Sequence, residues 1–356
     1  MRIALIVPPF IAVPPRLYGG TELFVAHLAE GLDRLGHEAV VYSNGESTIG
    51  VENRWLYERG QWPLNSEIYG SLNDINHTAW AVEDAASTCD IIHVNNAPGV
   101  ANSRFVRTPF VYTIHHEHIQ ELTDYYSWYP DTFFVTISDF QRRKEPLPRI
   151  RTIHHGIDFS KYRMVSEKQP YVCFLGRIAP IKGPHLAIAA AKRAGIPLKI
   201  AGEIQPMFRD YWEQQVRPHV DGVNVEYVGE VGLAAKNELL GNSLGMLFPI
   251  QWEEPFGLVM IEAMVCGTPV LALPGGSVPE VVSNGVSGYV CSTTEEMAAK
   301  IRELANFKPS LVRAYAEESF SLERMTQQYA TLYLEAVGGQ SGWLSEDLDE
   351  ERPAVA

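Results

Sequence analysis

Several things are scarce in this chain of 356 residues. No apolar run approaches the roughly 20 residues a membrane-spanning helix needs. The opening Met1-Arg2-Ile3-Ala4-Leu5-Ile6-Val7-Pro8-Pro9 is too short an apolar stretch for a signal peptide and reads as a first strand. Positive charge is outnumbered: 29 Lys and Arg face 43 Asp and Glu, a net charge of -14. That argues against nucleic acid as the main partner but leaves room for a local basic site. The four cysteines, Cys89, Cys173, Cys266 and Cys291, are scattered without metal-ligand spacing. Three lie in apolar runs, so buried free thiols and a reducing cytoplasm are expected. A Gly-x-Gly-x-x-Gly fingerprint is also missing, and no acidic residue about twenty positions on ends a clear second strand. A nicotinamide oxidoreductase is disfavoured accordingly.

What is present is material for large cores, with 46% hydrophobic and 10% aromatic residues. Buried strands are expected at Ile3–Val7, Ala39–Ser43, Asp90–Val94, Phe110–Ile114 and Phe133–Ile137. Helical patterns intervene, the first with Phe24, Leu28, Leu32 and Leu35 on one stripe. After a polar stretch, Asp158–Pro170, a second set begins with Tyr171–Leu175, Leu198–Ala201, Val225–Val228, Gly245–Pro249 and Pro269–Leu273. Strand–helix alternation implies parallel sheets covered on both faces. The chain therefore reads as α/β, two Rossmann-like doubly wound domains facing a central cleft, with ligands at the carboxyl ends of the strands. The expected division is residues 1–160, 161–321, a returning helix at 322–340, and an acidic tail at 341–356. Asn44–Asn76 shows few strand signals and is expected to form loops and a short helix.

One segment carries the most chemistry: Glu254-Pro-Phe-Gly-Leu-Val-Met-Ile-Glu262. A helix opening near Gly257 leaves its first N–H groups without internal partners, and these suit an anion such as phosphate. Glu254 precedes that helix and Glu262 lies inside it, so two carboxylates reach opposite ends of one ligand. Gly176-Arg177-Ile-Ala-Pro-Ile-Lys182-Gly183 follows a strand and precedes a helix. Its glycines allow close approach of backbone, Arg177 can hold phosphate oxygens bidentately, and Lys182 adds a compact charge. Taken alone, two surface cations on a turn are an equal reading. Gly19-Gly20-Thr21-Glu22 joins the first strand to its helix, with Thr21 a candidate cap. His115, His116 and His118 cluster at a strand end. Adjacent residues on an extended chain point opposite ways, which argues against a metal site there.

These motifs, with Thr113-Ile114-His115, His155-Gly156-Ile157-Asp158, Pro274-Gly-Gly-Ser-Val-Pro-Glu-Val-Val282 and Asn284-Gly-Val-Ser-Gly-Tyr289, resemble the retaining family-4 glycosyltransferases of the GT-B fold. The resemblance runs from about residue 3 to about residue 335. It implies transfer of a hexosyl group from a nucleotide-sugar, UDP-glucose first, to a hydroxyl acceptor, with no metal and no cofactor. It implies catalytic roles for His115, Glu254, Arg177 and Lys182. Donor binding falls to Gly19, Gly20, Arg177, Lys182, Val231, Glu254, Phe256, Gly257, Leu258, Val259 and Glu262, with Glu262 on the ribose. His155 stands where the family has Asn, which weakens the transfer of any ligand role to it. A sugar-nucleotide epimerase and a non-catalytic nucleotide-sugar-binding protein stay open as alternatives.

Two features fall outside that scheme. Gln141-Arg142-Arg143-Lys144, with Arg149 and Arg151, is the compact basic run; a solvated helix end is favoured over an anionic membrane contact. Tyr125, Tyr126, Trp128 and Tyr129 read as core and rim aromatics, or as a stacking wall for an acceptor.

Overall fold

A computed structural model describes residues 1–338 apart from Tyr18, Pro63 and Asn65. The acidic segment 341–356, and residues 339–340 of the expected returning helix, lie outside the described residues. The first sheet contains β1 (Arg2–Ile6), β2 (Glu38–Asn44), β3 (Glu52–Tyr57), β4 (Ile91–Val94), β5 (Phe110–Ile114), β6 (Phe133–Thr136) and β7 (Ile150–Thr152). The second contains β8 (Gln169–Leu175), β9 (Leu198–Ala201), β10 (Val225–Gly229), β11 (Ser243–Phe248), β12 (Val270–Ala272) and β13 (Gly288–Val290). Every strand pairing is parallel. Spatial order is β3-β2-β1-β4-β5-β6-β7 in one sheet and β10-β9-β8-β11-β12-β13 in the other. The order therefore reverses between β1 and β4, and again between β8 and β11. Such reversals open a crevice at the carboxyl ends of the strands.

Burial on both faces explains the near-continuous apolar strands. In β1, Ile3 and Leu5 enter one core and Ala4 and Ile6 the other. In β8, Cys173 and Leu175 face one side, Val172 and Phe174 the opposite. The two chain crossings between the sheets run side by side: Ile157 N–H donates to Phe320 O and Leu322 N–H to Ile157 O. Gly156 is needed there, because a Cβ would lie 2.2 Å from Ser321 O. The helix Leu322–Gly338 then packs on the first sheet's core through Met325, Tyr329 and Tyr333. Its approach to the helix Gly20–Arg34 is close enough that a Cβ on Gly31 would lie 2.1 Å from Thr326 Oγ1. Buried polar groups fix its register. His93 bonds Tyr333 at 2.7 Å and Thr113 at 2.8 Å, and Thr113 bonds Tyr329 at 2.9 Å.

The segment Asn44–Asn76 departs from expectation. It supplies the edge strand β3 and the start of a 22-residue helix, Glu67–Thr88. β3 is polar and half-exposed because only one neighbour covers it, so it lacks the apolar signature of its buried partners. Two further strands, β7 and β13, are three residues long and carry Arg151 and Tyr289 at half-buried sites. The cysteines are free thiols. Among the described residues no helix is long and apolar enough to cross a membrane.

Candidate functional site

Both topological reversals open onto one cavity of about 690 Å³. From the first domain it is lined by Gly19 and Gly20 after β1, and by His115 after β5. From the second come Arg177 and Lys182 after β8, Glu203 after β9, Glu230 and Val231 after β10, and Glu254 through Val259 with Glu262 after β11. All the expected donor-site residues thus meet around one space. Thr21 is no cap: the helix begins at Gly20 with Gly19 in the cap position.

The charged groups come as pre-formed pairs. Lys182 Nζ donates to Glu254 Oε2 at 2.5 Å and lies over the Trp252 ring at 4.3 Å. Trp252 Nε1 donates to the same carboxylate oxygen at 2.9 Å. Burial lowers the Lys182 pKa, while the Glu254 charge pulls the other way. Glu262, 1% exposed, accepts from Tyr162 Oη at 2.7 Å and Lys236 Nζ at 2.6 Å. Burial, then the Glu262 charge, drives the Tyr162 phenol far above its ordinary range, so it stays a donor. The helix Leu258–Val265 opens at Gly257, whose φ of 80° puts it in the left-handed region. The first helical residues, Leu258 and Val259, line the cavity with both carboxylates, where a helix N-terminus suits an anion.

The opposite wall is built around buried imidazoles, with Arg16 and Glu117 also on the lining. Asn95 Nδ2 donates to Ile6 O at 3.1 Å, which orients its amide and leaves Oδ1 facing His115 Nε2 at 2.9 Å. A carbonyl only accepts, so Nε2 carries the proton and Nδ1 keeps a lone pair. Burial, then neighbouring imidazoles, holds the His115 pKa well below its ordinary value. Its ring stacks on His155 at 5.6 Å and 15°. His155 itself is wedged against Phe24 and Phe256, and burial lowers its pKa to about 3. His27, on the inner side of the first helix, also lines the cavity and is pushed to about 3, first by burial and then by Lys161. Three imidazoles, each with its pKa lowered by burial, therefore line the cleft together with the Lys182–Glu254 and Lys236–Glu262 pairs.

Two family models match the chain back to back: Glycosyltransferase Family 4 over residues 18–161, and Glycosyl transferases group 1 over residues 159–318. The chain belongs to the family-4-type glycosyltransferases of the GT-B fold. A D-inositol 3-phosphate glycosyltransferase of Mycobacterium tuberculosis is 29% identical over 371 residues, 93% of this chain and 73% of that protein. Among solved structures, a sucrose-phosphate synthase from Thermosynechococcus elongatus has a TM-score of 0.80 at 18% identity, covering 95% of this chain and 100% of the other. Anabaena Alr3699/HepE in complex with UDP-glucose has a TM-score of 0.74 at 20% identity, covering 94% and 100%.

Other residues of this glycosyltransferase fall into supporting places. His116 Nε2 bonds Tyr126 at 2.7 Å and His118 Nδ1 bonds the buried Glu145 at 3.0 Å, so both brace the loop behind His115. Asp158 caps a short 3-10 turn through Ser160 and pairs with Arg34. Ser138 caps the turn of helix Asp139–Arg142. Two members of the basic run make internal pairs: Lys144 reaches Glu253 of the second domain, and Arg151 reaches Glu335 of the returning helix at 2.8 Å. Among the described residues one grouping has metal-ligand spacing, Asp139, His154 and Glu280. Glu280 already accepts from the Asp139 and Phe140 amides at 2.8 and 2.5 Å and from His154 at 3.2 Å, tying the domains together.

Lys236, Tyr162, Trp252, Asn95 and His27 escape the sequence reading. Lys236 sits mid-helix with no motif around it. Asn95 carried a usable signal, an amide directly after a buried strand at the expected ligand edge.

Proposed function

We propose that this glycosyltransferase moves a hexosyl group from a nucleoside diphosphate sugar, UDP-glucose, to a hydroxyl acceptor with retention of configuration and without a metal. The observation that carries the reading is the cluster of Arg177, Lys182 and the Gly257–Val259 amides on one cavity that also presents Glu254 and Glu262. Arg177 and Lys182 supply the positive charge that a departing diphosphate develops. The anomeric C1–O bond breaks and its electrons remain on the β-phosphate oxygen. The acceptor oxygen bonds to C1 on the same face and its proton passes to the leaving diphosphate. Glu254 and the neutral His115 hold the hexose hydroxyls, a charged acceptor on one side and an imidazole lone pair on the other. Glu262, paired with Lys236 at 2.6 Å, takes the ribose hydroxyls. Retention is carried by the resemblance of the Glu254–Glu262 segment; UDP-glucose is supported by the HepE complex among the neighbours. The test is incubation with UDP-glucose and a panel of hydroxyl acceptors, reading UDP release and product configuration by NMR. An α-linked product is expected. A β-linked product contradicts retention, and UDP-glucose binding without transfer to any acceptor favours a non-catalytic binding protein.

A further inference from the structure

A second cavity, of about 380 Å³, lies on the far side of the first domain. Its floor is the amino ends of β5 and β6, reached through Phe110 and Phe133, whereas the cleft sits at their carboxyl ends. With about 3.3 Å per strand residue, roughly 15 Å of sheet separates the two. Three arginines line it, Arg104, Arg107 and Arg149, against the single carboxylate of Asp131. In a chain of net charge -14 that concentration is unusual. Arg149 is partly committed: it donates to Asp131 O at 3.3 Å and lies over the Phe133 ring at 5.1 Å. Arg104 lies over the Tyr129 ring at 4.6 Å, which fixes its guanidinium plane while leaving its N–H edge open. Among the described residues neither Arg104 nor Arg107 pairs with a carboxylate. Beside them Trp128 is 63% exposed, its ring edge-on to Tyr125 at 5.9 Å, so an indole face remains toward solvent at the cavity. Thr132, also on the wall, is 1% exposed and its hydroxyl has no hydrogen-bond partner. A buried hydroxyl without a partner is costly unless something bonds it.

We propose that this cavity is a second binding site, for a saccharide bearing a phosphate monoester. Arg104 and Arg107 take the phosphate oxygens, because a guanidinium edge matches them in pairs. The Trp128 indole covers the sugar ring, and the Thr132 hydroxyl meets the ligand at the floor. The site uses residues remote from the donor cleft and does not depend on the reading of that cleft.

The test is calorimetric titration of the full chain with glucose 6-phosphate and with inorganic phosphate. Both bind the wild type, the sugar phosphate more tightly. Arg104→Ala/Arg107→Ala weakens both by about tenfold or more, as expected when charged hydrogen bonds are removed. Trp128→Ala weakens glucose 6-phosphate by about three- to tenfold and leaves inorganic phosphate unchanged, since only stacking is lost. All three side chains are exposed, so the fold is retained, and UDP affinity in each variant serves as the check. Wild-type affinity for both probes in the double arginine variant would overturn the site and place any binding in the cleft. Equal affinity of Trp128→Ala and wild type for glucose 6-phosphate would overturn the saccharide assignment.

Discussion

The two walls of the cleft are built by opposite physical means. The second domain presents ions in fixed partnership, Lys182 with Glu254 and Lys236 with Glu262, each partner drawn from a different loop or helix. The first domain presents imidazoles whose pKa values burial lowers, His27, His115 and His155; the Asn95 amide sets the tautomer of His115, and aromatic neighbours set the planes of His115 and His155. Ions paired in advance cost little to reorganise when a diphosphate arrives, which is what leaving-group stabilisation needs. Neutral rings can bond hydroxyls without competing for that phosphate. On the proposed reading the difference is a division of labour: nucleotide affinity and leaving-group chemistry belong to the second domain, while sugar positioning is shared between His115 of the first domain and Glu254 of the second.

The largest expected effect tests the charged wall. Lys182→Ala and Arg177→Ala each lower turnover by about 100-fold or more, the scale of losing one stabilising group at a developing negative charge. Steady-state rates with UDP-glucose check this, and wild-type turnover in both would end the comparison. Next, Glu262→Ala raises the UDP dissociation constant by about tenfold or more, because charged hydrogen bonds to the ribose are lost. Calorimetry reads it; an unchanged constant removes Glu262 from the nucleotide.

His115→Ala sharpens the contrast from the other side. Turnover falls while UDP affinity stays at the wild-type value, since the role proposed for the ring is on the hexose. A loss of UDP affinity comparable to that of Glu262→Ala would erase the division.

A smaller effect concerns stability against pH. Burial lowers the pKa of His27, His93 and His155 to about 3 and of His77 to about 4, and holds His115 well down. An unfolded chain binds those protons near pH 6.5 while the folded one does not, so stability is full above that pH and falls as acid is added. Burial raises Glu22 to about 7 and Asp74 to about 6, which acts with the opposite sign over the same window. Five imidazoles against two carboxyls leave a net loss of stability between pH 6.5 and 4. Urea midpoints across that range check the sign; a midpoint that rises on acidification contradicts the lowered pKa of these buried imidazoles. Smallest of all, Tyr333→Phe strips one bond from the His93 network and costs about 1–3 kcal/mol of first-domain stability, with UDP affinity unchanged.

Much of this was legible in the sequence where one physical cause dominated. Strands buried on both faces announce themselves by apolar content, so β1, β2, β4, β5, β6 and β8 to β12 fall within two residues of their expected ends. β3 did not, because an edge strand of sequence Glu-Asn-Arg-Trp-Leu-Tyr satisfies one neighbour and the solvent together. The motif residues Arg177, Lys182, Glu254 and Glu262 stand in fixed spacing along single loops and helices, and so could be named in advance. Their partners could not. Lys236 lies 26 residues from Glu262 and Tyr162 lies 100 residues away, brought there only by the folded sheet. His155 shows the limit from another direction. Its departure from Asn weakened the transfer of a ligand role, yet its ring is stacked on His115 and lines the cleft.

The most direct test of the central claim is a calorimetric titration of UDP into the wild type and Lys182→Ala, each with and without EDTA. Wild-type binding that the chelator leaves unchanged is expected, with weaker binding by the variant. Wild-type affinity that disappears with EDTA, or that survives intact in Lys182→Ala, would contradict a cleft whose phosphate charge is met by its own side chains.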